Sequence, residues 1–157
     1  MKTKQFIKRA VWLLMPLLSL YASPLWGTET FTANVETGTK SVEKGCITIS
    51  VTDGTFSRTD NYRCYANESM TISSSHSITK VEITCTDSGT SSYGPGKFSK
   101  SSGTSGTYSY SGKVGTWSYA SGATSITLNA SAQVRMTQIV VTYTVTAPTA
   151  LEKGTIC

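Results

Sequence analysis

The chain has 157 residues, with 14 Lys and Arg against 9 Asp and Glu, a formal charge of +5. Four of those bases, Lys2, Lys4, Lys8 and Arg9, stand at the very front, so residues 28–157 carry 10 against 9. A nucleic-acid face, which needs clustered Lys and Arg, is excluded. So is a metal or cofactor site read from spacing: the acids are scattered, and the four cysteines match no zinc pattern.

The first nine residues hold only positive charge, and an apolar run from Val11 to Tyr21 follows, interrupted by Pro16 and Ser19. Small residues come next, Ala22, Ser23 and Gly27. This order predicts a secretory signal peptide over residues 1–27, cleaved after Ala22 or, preferentially, after Gly27. The apolar run is too short for a membrane span, which needs about 20 residues, and no cysteine lies near the cleavage point to carry a lipid. Export to the surface, the periplasm or the medium is expected, with no transmembrane segment in the mature chain.

After the signal segment the chain is rich in Ser, Thr and Gly, and period-2 alternation dominates. Residues 28–44 read as a lead-in. In 46–51, CITISV, Ile47, Ile49 and Val51 share one face, and Asp53-Gly54 marks a turn. NYRCYA places Tyr62 and Cys64 on one face with Arg63 and Tyr65 on the other, and SMTISSS continues as a strand. ITKVEITCT turns Val81, Ile83 and Cys85 inward and Lys80, Glu82 and Thr84 outward. Residues 87–115 are Gly/Ser-rich but carry Tyr93, Phe98, Tyr108 and Tyr110. They read as a long loop with a short strand over 107–111. Short strands over 116–119 and 125–130 and the longest, over 133–145, complete the set. Together they predict an all-β fold, a two-sheet antiparallel β-sandwich of jelly-roll type over 45–147.

Two segments align without a gap: Ile78-Thr79-Lys80-Val81-Glu82-Ile83-Thr84-Cys85 and Met136-Thr137-Gln138-Ile139-Val140-Val141-Thr142-Tyr143. In each, the first two apolar residues are three apart, which breaks alternation. A β-bulge at Thr79-Lys80 and another at Thr137-Gln138 restore it, and both members of each pair, Ile78/Val81 and Met136/Ile139, then face the core.

Arg63-Cys64-Tyr65-Ala66-Asn67, the Met70–Ser73 strand, the Ile78–Thr84 strand, Gly115-Thr116-Trp117 and Ala132-Gln133-Val134-Arg135 running on to Tyr143 form a connected pattern. It resembles a secreted β-sandwich module of modular surface and exported proteins of Bacteroidetes-type bacteria, over roughly residues 45–145. The resemblance implies a galactose-binding-like architecture beside varied neighbours and assigns no activity. It also implies that residues 148–157, ending LEKGTIC, are a linker and the start of a truncated further module.

The single histidine, His76, sits in the polar run SSSHS and reads as an exposed turn residue; no nucleophile elbow accompanies it. No enzyme is predicted. Cys64 and Cys85 fall at apolar positions of strands and read as buried free thiols rather than a bridge, although export permits one. Cys157 has no natural partner. Arg63 and Arg135 each interrupt an apolar alternation; a snorkelling structural role is preferred to ligand binding. Aromatic residues suit sugar rings, and Tyr93 and Phe98, in the Gly-rich segment, are the better ligand candidates, with Arg63, Arg135 and Trp117 behind them. Trp117 reads first as core. Two functions remain open, a non-catalytic module binding glycans or a surface protein, and a structural spacer.

Overall fold

A computed structural model of the protein describes residues 25–145. Ten strands follow in chain order: β1 (Leu25–Thr32), β2 (Ser41–Lys44), β3 (Ile47–Val51), β4 (Gly54–Thr55), β5 (Tyr62–Cys64), β6 (Ser69–Cys85), β7 (Phe98–Lys100), β8 (Thr107–Ser111), β9 (Val114–Ala130) and β10 (Val134–Val145). A 3-10 turn, Pro95–Lys97, precedes β7. The fold is all-β and antiparallel, with no α-helix among the described residues.

The strands belong to one ten-stranded hydrogen-bonded sheet rather than to two separate ones. The long strand β6 is its axis. Its first half pairs with β3 on one side and the second half of β9 on the other. Its second half pairs with β10 and the first half of β9. Near residues 74–77 β6 runs ahead of β9, and near 119–122 β9 runs ahead of β6. Such extra residues bend a strand pair sharply, so the sheet folds over on itself. The pairs expected as separate strands on either side of residues 76 and 122 are therefore two continuous bent strands.

Along the path β2-β3-β6-β10-β5-β4 the sheet curls until its ends nearly meet. Gly38 N donates to Phe56 O at 3.4 Å and Phe56 N to Thr39 O at 3.2 Å, bridging the two ends. Tyr62, fully buried, donates its hydroxyl to Thr32 O (2.8 Å) and Glu36 O (2.7 Å), tying the β1–β2 connection to the inside of the seam. Lys44 Nζ donates to Glu36 Oε1 at 2.7 Å and to Thr30 O at 2.8 Å on its outside.

The bulges lie where the apolar spacing places them. Against β6, Met136 faces Cys85 but Gln138 faces Thr84, leaving Thr137 as an extra residue of β10. Thr142 faces Lys80 but Tyr143 faces Ile78, leaving Thr79 as an extra residue of β6. Ile78, Val81, Met136 and Ile139 are all at 0% exposure. Ile83, Val141 and Tyr143 are buried with them.

Residues 28–44 are not a passive lead-in: they hold most of β1 and all of β2, and contribute Phe31, Ala33 and Val42 to the core. Of the expected signal segment, residues 1–24 lie outside the described residues, as does the expected start of a further module at 148–157. Leu25, Trp26 and Gly27 open β1, opposite Val145, Thr144 and Tyr143. A Cβ on Gly27 would run into the ring of Tyr143, so this position has no room for a side chain.

Candidate functional site

Two places on the fold gather side chains of ligand-binding chemistry. The first is an open groove of about 610 Å³ between the edge strands β7 and β8. Both pair with β9, β8 with its first half and β7 with its second, and the bend of β9 sets them facing each other. Tyr108 and Tyr110 lie opposite Trp117 and Gly115 in register. Gly115 has no side chain, and the Tyr108 ring occupies that space, its hydroxyl donating to Pro95 O at 2.8 Å. Burial raises the Tyr108 pKa, keeping the phenol neutral. Tyr110, one register step on, is 47% exposed and forms the open wall. Phe98, Ser99, Lys100, Thr107 and Ser109 also line the groove, with Lys100 Nζ donating to Thr104 O; Thr107 and Ser109 stand on the face of β8 opposite the two tyrosines, where Thr107 Oγ1 meets Ser118 Oγ at 3.4 Å.

The second place is a row of side chains on the outer face of β5 and β10, continued by Thr86 just past the end of β6. Arg63 and Arg135 are direct cross-strand partners. Their core-facing neighbours Cys64, Tyr62, Val134 and Met136 fix both arginines on the opposite face. Like charges directly opposite each other on paired strands are destabilising, and neither arginine has an ion pair among the described residues. Arg63 Nε donates to Asn61 Oδ1 at 3.0 Å. Arg135 lies with Cζ 3.6 Å from the centroid of the Tyr93 ring, a cation–π contact. Its Nε is buried without a hydrogen-bond partner, and so is Thr86 Oγ1. Thr86 continues the same row: its N–H donates to Arg135 O at 3.0 Å. Asp87, the next residue after Thr86, accepts from Tyr93 N at 3.3 Å through Oδ2.

The other sequence candidates separate. Phe98, expected on an exposed loop, is 4% exposed and opens β7; its ring belongs to the core cluster because residues 98–100 pair with β9. Trp117 is fully buried, its Nε1 donating to Ser105 O at 2.8 Å. His76 is not in a turn. It lies within β6, half-buried, its ring stacked on Tyr143 at 5.7 Å between centroids. Cys64 and Cys85 are buried free thiols, and burial pushes each up to about 12, which leaves them unreactive at neutral pH. Among the described residues no three His, Cys, Asp or Glu side chains cluster as metal ligands would.

Neither the pairing of Arg63 with Arg135 nor the placement of Thr86 beside them is signalled locally. Both arise from strand pairings between distant segments. The groove's aromatic residues were visible as interruptions of a Gly/Ser-rich stretch; its Lys100 was not. No protein family, curated protein or solved structure matches this chain.

Proposed function

We propose that the protein is an exported, non-catalytic glycan- or surface-binding module, a jelly-roll-like β-sandwich variant whose curled sheet presents the β7–β8 groove to its ligand. The observation that carries this reading is the exposed Tyr110 ring at the rim of an open groove that Ser99, Lys100, Thr107 and Ser109 also line. An aromatic face covers the C–H face of a sugar, and flanking hydroxyls meet its polar rim. The groove's groups are aromatic rings, hydroxyls and one ammonium, which suit recognition rather than proton transfer.

The path of the chain supports a presented module over a spacer. Leu25 pairs with Val145, so the described chain enters and leaves side by side at one end of the sheet. A spacer that lengthens an array gains most when its ends lie at opposite poles. The test is a glycan array probed with the exported chain and with Tyr110→Ala. Retention of specific glycans by the parent and their loss in the variant is expected. Equal retention by the two proteins, or none by either, rejects the groove as the binding site.

A further inference from the structure

We infer that the β7–β8 groove selects an acidic saccharide, one carrying a carboxylate or a sulfate, and that Lys100 sets this preference. This rests on the groove being the glycan site, as proposed above, and names the class of glycan. Strand register sorts the groove's side chains by face, since successive residues of a strand point to opposite sides. Lys100 lies opposite Leu128 and Tyr108 opposite Trp117, both fully buried, and Tyr110 lies two residues beyond Tyr108. Lys100, Tyr108 and Tyr110 therefore stand on the inner face of the bent sheet. Ser99 and Thr107, opposite Asn129 and Ser118, stand on the outer face. On the inner side Phe98 is 4% exposed and the Tyr108 hydroxyl is committed to Pro95 O. Tyr110 and Lys100 remain to meet a ligand.

Charge then decides the class. No Asp or Glu lines the groove. Lys40, Lys44 and Lys80 each have a carboxylate partner, whereas Lys100 has none among the described residues. Its ammonium donates to Thr104 O; an ammonium carries three N–H groups, so two remain for a ligand. The acceptor is itself fixed. Thr104 is buried, and its N–H donates to Ser101 O at 3.0 Å. Its hydroxyl donates to Thr127 O at 3.2 Å and accepts from Thr127 N at 3.0 Å. The cation is thus held in place before a ligand arrives, and less side-chain freedom is lost on binding. A held cation without a counter-charge, in the same groove as an exposed aromatic ring, suits a sugar whose C–H face covers Tyr110 and whose acid meets the ammonium. A neutral sugar gains nothing from that charge.

The full chain is titrated calorimetrically with a galacturonate trisaccharide, with its methyl ester, and with a galactose trisaccharide carrying one sulfate. At least one acidic ligand is expected to bind about tenfold more tightly than the ester, and added salt to narrow that margin. The tighter of the two acidic ligands tells carboxylate from sulfate. Lys100→Met is expected to bring the acidic ligand down to the ester's affinity and leave the ester unchanged, and Lys100→Arg to keep the preference. Lys80→Met, which removes an exposed cation paired with Glu82 at 2.9 Å, leaves all three affinities unchanged. Should Lys100→Met not fold, the acid-to-ester ratio of the parent and its salt dependence decide. Equal affinity for acid and ester, a preference that survives Lys100→Met, or no binding of either acidic ligand overturns the inference. Neutral glycans retained on the array through Tyr110 would in each case still uphold the groove, whereas an array without any retained glycan removes both. A hexaglutamate peptide bound as tightly as the acidic trisaccharide overturns the assignment to saccharides.

Discussion

Met136 and Ile139 offer a direct test of the bulge. In a plain strand, residues three apart face opposite sides, so one of the two would lie in solvent and its truncation would cost almost nothing. In the folded chain both are at 0% exposure because Thr137 is an extra residue between them. Met136→Ala and Ile139→Ala each remove three heavy atoms beyond Cβ. At about 0.8 kcal/mol per buried methylene the transfer loss is roughly 2.4 kcal/mol each. The residual cavity brings the expected cost to about 2–5 kcal/mol. Gln138→Ala, on the solvent side of the bulge, should cost under about 0.5 kcal/mol. Urea unfolding of the three variants reads these values, with unchanged m-values confirming a common two-state transition. If either apolar variant lost less than about 1 kcal/mol while the other lost the full amount, the strand would be plain and the reasoning wrong.

Tyr62→Phe removes the hydroxyl that closes the seam from inside, leaving Glu36 O short of a donor; a loss of about 1–2 kcal/mol is expected in the same unfolding assay. Glu36 gives the fold a pH dependence. Burial raises its pKa, but the hydrogen bonds from Lys44 and Thr32 N and the Lys44 charge outweigh that and hold it below the ordinary 4.5. A depressed carboxyl contributes stability that is complete above its unfolded value and is lost as pH falls through the folded one. Wild type should therefore exceed Glu36→Gln in stability at pH 7, and the difference should shrink once the pH drops below 4.5. The proposed export implies a cleavage that leaves β1 intact: because Gly27 packs under Tyr143 and Leu25 pairs with Val145, intact-mass measurement of the secreted fraction should show cleavage after Ala22 and not after Gly27.

The parts of the fold that were legible in the sequence are those written in apolar spacing. The three-residue gaps at Ile78–Val81 and Met136–Ile139 announce their bulges because a strand has only two faces. β1 and β2 escaped notice because their stretch is mostly polar: across residues 28–44 only Phe31, Ala33 and Val42 enter the core. The 3-10 turn and β7 hide in a Gly/Ser composition in which Pro95 and Phe98 alone mark burial. Composition placed Phe98 on a ligand loop; the pairing of 98–100 with β9 turned it inward. His76 looks like a turn residue among serines, yet β6 passes through that run unbroken and stacks the imidazole on Tyr143. The curl of one sheet in place of two depends on where β6 and β9 fall out of step, and that is a property of the pair, invisible in either strand. The arginine row is likewise a product of register. Each arginine could be singled out, but only the β5–β10 pairing shows that they are neighbours without an acid.

The groove claim is tested most directly by titrating the nitrogen-15-labelled chain with the oligosaccharide best retained on a glycan array and mapping the backbone amide shifts. The account predicts shifts concentrated at Ser99, Lys100 and residues 107–110, with Thr48 and Ser50 of β3, across β6 from β9, unmoved. Shifts confined to residues outside the β7–β8 groove, or no shifts at saturating sugar, would contradict it.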